Sequence, residues 1–440
     1  MRLLRHLSQA GFSMVELMVA LVLGVILTSG VISVFISSKN TYNTNNSVGQ
    51  VEEGGRYALN FMQPILSLAG SNGCSRPGDS TQASGTTAYI PNTVINSAWA
   101  GALPDFTPMY NFGLPVFGYE ANSTGINATI PSNGGETVSS GVESYPSPDT
   151  NASDWTPALS WNDPKNVLSG KLNVNGVGGV LKYNDVLMVH EALTTAAIHG
   201  GMATVVTPGA DGAAVYVPAS TSSALVTVAN FTGGEFAIAS DCQAHVAAFQ
   251  ITSTSNSTGA LNYAGAAPSG TPGNSGSFST GPINTNGFSV LPASTYVFYV
   301  GQGADKGPAL FEGYLGTNTN PGQFVTEQLV SGVENMQVLY GVDTDKDQIP
   351  NYFTTADQVQ SADGASGALN GNWGNVVSVR VSLVMQSDNN SIDKASASTT
   401  NIYMLGSGRG YTDNTILATP ADQRLRRVFV ETFSFRNMLP

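Results

Sequence analysis

Glu16 is the one ionisable residue between Met14 and Ile36, a run otherwise built from apolar and small side chains. A carboxylate near one end of a membrane-length apolar helix is costly to leave alone in lipid, so it asks for a cationic partner. The second grouping with chemistry in its spacing is Asp343-Thr344-Asp345-Lys346-Asp347-Gln348-Ile349-Pro350-Asn351. Its carboxylates at relative positions one, three and five, the Ile349 carbonyl at seven and Asn351 at nine can converge on a hard cation. Such a loop suits calcium better than magnesium. Against that, Gln348 stands where a glycine is usual and Thr354 where a bidentate Glu would complete the set, leaving Asp357 as the nearest substitute. The other reading is an acidic turn whose Asp side chains accept from backbone amides. Spacing alone leaves both open.

Catalytic constellations are hard to find. His6 lies near the start, and His190, His199 and His245 have no tight spacing to one another or to a cysteine. Gly301-Gln302-Gly303 and Gly406-Ser407-Gly408-Arg409-Gly410 match neither a dinucleotide fingerprint nor a P-loop. No Gly-x-Ser-x-Gly elbow occurs. The chain reads as a non-enzyme. Its two cysteines, Cys74 and Cys242, both follow the apolar run. On the far side of a bacterial membrane they permit one bridge, worth about 4–5 kcal/mol for so long a loop; two buried thiols are the alternative. A net charge of -13 argues against nucleic-acid binding, which needs clustered Lys and Arg.

The elements that must carry these groups follow from periodicity. The apolar run of roughly 23 residues gives ~34 Å of helix, enough for a ~30 Å hydrocarbon core. Beyond a polar stretch at 43–47, Val48, Val51, Tyr57, Ala58, Phe61, Met62, Ile65 and Leu68 recur in steps of three and four, with Glu52, Glu53 and Arg56 mainly opposite. One helix over 12–70 is expected, kinked or ended near Pro64. The rest alternates strand-like runs with turn-rich segments. The clearest strands are at 185–191, 235–239, 246–252, 295–300, 337–340, 376–386 and 428–435, several alternating with period two. Loop-rich stretches are expected at about 90–175, anchored by Trp99, Trp155 and Trp161, and at 253–286, which carries no charge. In the last strand Val428, Val430 and Thr432 share one face, and Phe429, Glu431, Phe433 and Phe435 the other. Arg424, Arg426, Arg427 and Arg436 pair either within the head or with a neighbouring subunit.

Arg2 and Arg5 precede Gly11-Phe12-Ser13-Met14-Val15-Glu16-Leu17, and no acidic residue comes before Glu16. A basic leader, a Gly, a Phe and a Glu four residues on, at the head of a membrane span, resemble the processing signature of type IV prepilins. An ordinary secretory signal has a shorter apolar stretch and a small-residue cleavage site after it. A plain anchor explains the length and the basic flank but not Glu16. The resemblance implies that a membrane peptidase cuts after Gly11 and methylates the new amine on Phe12. That N-terminal ammonium can then meet the Glu16 carboxylate of a neighbour in a filament core, an assembly role rather than a catalytic one.

Three further stretches resemble the PilW-like minor pilins. They are Ser240-Asp241-Cys242 leading into Ala248-Phe249-Gln250, then the run from Gly332-Val333-Glu334-Asn335 to Gly341-Val342-Asp343, and finally Arg424-Leu425-Arg426-Arg427-Val428-Phe429 through Phe435-Arg436-Asn437. Pro64 and the uncharged insertion depart from the family pattern. The resemblance implies an α+β fold, a long N-terminal helix on an enlarged antiparallel β head with long loops. It divides the chain into a leader at 1–11, the helix at 12–70 (12–36 crossing the membrane or filling the filament core) and a head at 71–440. It further implies a minor pilin of the complex that initiates and caps a type IV pilus, serving twitching motility and adhesion. Its partners would be other minor pilins, the major pilin, the prepilin peptidase and methyltransferase, the inner-membrane assembly platform and a tip adhesin. The precursor would sit in the inner membrane with its head in the periplasm, then move to the extracellular tip. A type II secretion pseudopilin shares the N-terminal motif, and a membrane-anchored surface binder, stacking glycans on Trp and Tyr, is the reading from a different class.

Overall fold

The computed structural model describes residues 13–71, 108–125, 128–131, 147–160, 165–192, 214–220, 227–240, 246–264, 288–316, 321–361, 372–387 and 424–436, with short pieces between them. Helix α1 (Met14–Ser67) starts at a capping box: Ser13 Oγ accepts from Val15 N (3.3 Å), while Glu16 Oε2 accepts from Ser13 N (3.1 Å). An eighteen-residue stretch of its first half has a mean hydropathy of 2.6 and none of it is buried. Within this half the Thr28 hydroxyl is satisfied by donating to the Gly24 carbonyl (2.7 Å).

The second half buries Ser47, Val51, Gly55, Ala58, Leu59, Met62 and Leu66. Of the expected stripe, Val51, Ala58 and Met62 are buried and Phe61 and Ile65 pack against the core, but Val48 and Tyr57 do not belong to the buried face. Tyr57 is 53% exposed and Val48 38%, while the small residues Ser47 and Gly55 face the head. The helix ends near Pro64, as expected: Pro64 lies in the last turn, where Ser67 Oγ donates to its carbonyl (2.9 Å). The chain then leaves through Gly70 at φ 71.

The principal strands are β1 (Val116–Ala121), β2 (Val186–Ala192), β3 (Phe236–Ser240), β4 (Val246–Gln250), β5 (Phe288–Gln302), β6 (Pro308–Leu315), β7 (Phe324–Ser331), β8 (Val333–Val342), β9 (Tyr352–Thr354), β10 (Val376–Gln386) and β11 (Arg426–Ser434). Strand β5 organises the first sheet, pairing antiparallel with β3 through its first half and with β2 and β6 through its second. The second sheet runs β9-β8-β10-β11, all antiparallel. The fold is α+β, as expected.

Two loop expectations need correction. Within 90–175, β1 and the preceding turn at Pro108–Tyr110 are fully buried, so this stretch contributes core rather than only surface. Within 253–286, Ser253–Ser255 and Ala260–Asn262 form a hairpin paired to Ala214–Tyr216, and Leu261 and Tyr263 are buried. A polar, uncharged sequence hid both apolar side chains. Strands β6 and β7 were also not foreseen. Of the three expected anchors, Trp155 is buried and donates its Nε1–H to the Asn184 carbonyl (2.8 Å); Trp99 and Trp161 lie outside the described residues.

The inner face of the second sheet joins α1 in one core: Val338, Val381, Leu383 and Phe433 meet Val51, Ala58 and Met62. Its outer face packs Leu339 and Val384 against Ile130 and Leu417. The expected alternation of β11 is what the structure has, with Phe433 and Phe435 buried and Val430 46% exposed. Close approach of α1 depends on Gly55, where a Cβ would lie 2.4–2.7 Å from three ring atoms of Phe429. Gly55→Val is therefore expected to destabilise the head by about 1–3 kcal/mol despite its better helix propensity. Thermal unfolding of the full-length protein in detergent checks it; an unchanged midpoint would contradict the packing.

Candidate assembly helix, joint and acidic loop

Glu16 is exposed at the tip of α1 and reaches back to the Ser13 amide, so within one chain its carboxylate serves as a helix cap. Gly11 and Phe12, like Cys74 and Cys242, lie outside the described residues. The arginines settle the question of intrachain pairing at two positions. Arg426 Nε meets Glu334 Oε2 at 2.5 Å and its second nitrogen meets Oε1 at 3.2 Å, with the two side chains only 5% and 2% exposed. This is a bidentate buried pair, in which losing one partner strands a charge. Arg427 pairs with Glu52 of α1, which Arg56 also approaches at 3.7 Å. Strand β11 is thus tied to α1 by charge as well as by packing.

A polar joint links the two sheets. Strand β9 pairs only with the Tyr340–Val342 end of β8, and the segment Tyr183-Asn184-Asp185 takes over along the rest. Asp185 N donates to Met336 O (3.1 Å), Asn184 Oδ1 accepts from Met336 N (2.8 Å), and Tyr183 O accepts from Asn335 Nδ2 and Gln337 Nε2. The Asp185 carboxylate spans both sheets, accepting from Val338 N (2.8 Å) and from Ala121 N at the end of β1 (3.0 Å).

Glu120, also in β1, accepts from Thr124 Oγ1 and from Ala356 N at the start of α3, after α2 (Ser169–Leu172) the third helix, Ala356–Ser361. Burial, helped by the Asp357 charge, pushes Asp185 up to about 7 against the pull of its two amides. Burial and then the charges of Asp185 and Asp357 hold Glu120 well above the usual carboxylate range. The Tyr340 hydroxyl beside them is buried with no hydrogen-bond partner among the described residues. On the first sheet, burial raises Glu191 to about 8 and Glu312 to about 7. His190 is structural: burial lowers it to about 4, and its Nε2 bonds the Pro108 carbonyl at 2.7 Å.

In the acidic loop, Asp343 is 4% exposed and spends both oxygens on backbone amides, Oδ1 on Asp345 and Lys346 and Oδ2 on Gln348. Asp347 Oδ1 accepts from Ile349 N, and Asn351 Oδ1 accepts from Thr344 N. Capping therefore describes every one of these contacts. The carboxylates of Asp343, Asp345 and Asp347 nonetheless stay within 4.8 Å of one another. Gln348 takes the left-handed conformation (φ 68) for which glycine is usual. Asp357 is no part of this group: it lies in α3 near Glu120, accepting from Thr355 Oγ1 (2.5 Å). Its expected place as a further ligand is overturned. The signal for the joint was weaker, since buried Asp, Asn and Glu carry no periodic signature.

Two family models match the chain. One, the type IV pilus-assembly protein W, covers residues 297–437, from the second half of β5 through β11. The other, the prokaryotic N-terminal methylation motif, covers residues 7–32, including Gly11, Phe12 and Glu16. No curated protein matches. A type IV-like pilin from Thermus thermophilus is similar over 34% of this chain and 70% of its own, at 17% identity and a TM-score of 0.22; the fold assigned here rests on the elements themselves.

The buried carboxylates of the joint and of the first sheet share a pH signature. Asp185, Glu120, Glu191 and Glu312 all have folded pKa values above the ordinary carboxylate range. Their contribution is complete below the unfolded values near 4 and is lost as pH rises through the folded values, about 7 for Asp185 and Glu312 and about 8 for Glu191. The thermal midpoint of the full-length protein is expected to fall by several degrees between pH 5 and pH 8, and Glu120→Gln should flatten that slope. A midpoint rising over this range would refute the assignment.

Proposed function

We propose, from the premise that this chain is a PilW-like minor pilin of a type IV pilus, that it belongs to the complex that starts the fibre and remains at its tip. The observation that carries the reading is one of overlap. The segment matching the pilus-assembly family contains the whole second sheet, and that is the sheet on which α1 is packed, behind an N-terminus matching the methylation motif. A bare membrane anchor needs neither. The match to a pilus-assembly family also favours the pilus over the secretion pseudopilus.

In mechanism, the peptidase and methyltransferase would act at Gly11 and Phe12. The released ammonium would draw Glu16 of an adjacent subunit away from its own Ser13 cap. Exchanging a neutral amide for a charged partner in a low-dielectric bundle favours assembly over the isolated helix. The exposed apolar half of α1 would leave the inner membrane for the fibre core. A large head suits the tip, where no subunit above competes for room. Partners of this class are other minor pilins, the major pilin, the assembly platform and a tip adhesin, with the head first in the periplasm and then outside the cell.

Two further proposals concern the head. A Cys74–Cys242 bridge is supported by anchoring on one sheet: Ser71 O accepts from Ala192 N at the end of β2, Ser240 ends β3, and both strands pair with β5. Calcium at Asp343, Asp345, Asp347, the Ile349 carbonyl and Asn351 is supported by the convergence of the three carboxylates and by Gln348 holding the glycine conformation.

Glu16→Ala should leave cleavage at Gly11 intact, visible as the mature mobility on a gel, while surface pili become sparse. Normal piliation in that variant would refute the pairing. For the loop, calorimetry of the full-length protein should give a saturable heat with calcium that Asp345→Ala abolishes; no heat, or heat unchanged by the substitution, ends that proposal.

A further inference from the structure

Strand β11 closes the second sheet on one side: β10 pairs with it, and no strand among the described residues pairs with its other side. The register shows which groups face that open side. Phe435 N donates to Val377 O at one end and Ser387 N to Leu425 O at the other, so the odd-numbered residues between them spend their backbone groups on β10. The alternate residues Val428, Val430, Thr432 and Ser434 therefore turn N–H and C=O outward. None of these backbone groups has a partner among the described residues. Val430, Thr432 and Ser434 are exposed and Val428 half-buried, so the edge is open to a second chain.

An open edge invites a further strand, and proteins blunt such edges by shortness, bulges or charge. The other edge of this sheet, β9, is three residues long. Strand β7, at an edge of the first sheet, breaks register between Leu310 and Phe311 of its partner and exposes Glu327 and Gln328. Strand β11 has none of these guards. Its nine residues match β10 without a break. Arg426 is held by Glu334 and Arg427 by Glu52, while Glu431 shares the face turned to α1, so the four open positions are uncharged. Val430, at the middle, is 46% exposed.

What such an edge binds is an extended polypeptide, whose backbone repeats donor and acceptor at the same spacing. Position identifies the source. Strand β11 is seated on α1, with Phe429 over Gly55 and Arg427 at Glu52, so its open edge runs beside the helix that would enter the bundle. The head of a neighbouring subunit is the polypeptide that bundling brings there.

We propose that β11 accepts a strand from the head of the adjacent pilin, extending the second sheet across the subunit boundary, with an apolar side chain of that strand beside Val430. The inference rests on the pilin reading. It adds to the Glu16 pairing a contact that sets which subunit stands next. Backbone bonding supplies the affinity, and the side chain beside Val430 supplies the choice.

The test places a photo-crosslinking phenylalanine analogue at Ser434 on the open edge, or at Val25 on the exposed half of α1, in the full-length protein in piliated cells. Adducts are identified by mass spectrometry. Adducts from both positions to a second protein with a prepilin-type N-terminus are expected. Adducts from Val25, with none from Ser434 or only ones to residues 388–423 of the same chain, would overturn the strand addition while sparing the pilin reading. None from either position would overturn both. Two proline substitutions separate binding from folding. Val430→Pro removes an outward N–H and should lower the Ser434 adduct yield roughly ten-fold at an unchanged thermal midpoint. Glu431→Pro removes an N–H spent on β10 and should lower the midpoint. An unchanged yield in Val430→Pro, or midpoints lowered equally by the two, would overturn the role given to the edge.

Discussion

One helix has to satisfy two solvents, and the remainder of the molecule follows from that. The first half of α1 is apolar on every side and buries nothing against its own head. The second half is apolar on one face only, and that face carries two small residues, Ser47 and Gly55, to let the second sheet approach. A helix that were apolar all round throughout would bind the head indiscriminately, and one amphipathic throughout could not enter a bilayer or a bundle core. The change of character falls near the polar stretch at 43–47.

Because the head hangs from a single helix, its attachment is reinforced at several levels. Phe429 fills the space over Gly55, Arg427 meets Glu52, and Arg426 reaches across β10 to Glu334 of β8 in the same sheet. The first sheet meets the second through Tyr183, Asn184 and Asp185, whose side chains and backbone serve the edge of β8 in place of a strand, and it also meets the end of α1 directly, Gly70 N donating to His190 O of β2. Force or displacement applied to α1 therefore reaches the larger sheet through hydrogen bonds, not only through apolar contact. A joint made of buried carboxylates is sensitive to protons in a way that an apolar joint is not.

Much of this was legible in the sequence where linear spacing carries the meaning. The N-terminal signature depends on residues within a few positions of one another, and β10 announces itself by the alternation from Val377 to Leu383. What escaped depends on packing. Strand β1 is buried on both faces and contains Glu120, so neither alternation nor apolarity marks it. The buried stripe of α1 was legible at Val51, Ala58 and Met62, but hydropathy favours Tyr57 and Val48 over Gly55 and Ser47, which are chosen for size. The acidic loop was seen for its spacing, but the diversion of Asp357 to α3 needed the fold.

The claim that this chain serves pilus assembly meets its most direct test in a strain lacking the gene. Surface pili and type II secretion would be measured side by side and restored with the wild-type gene. The account predicts lost or sparse pili with secretion intact. Intact pili with failed secretion would contradict it.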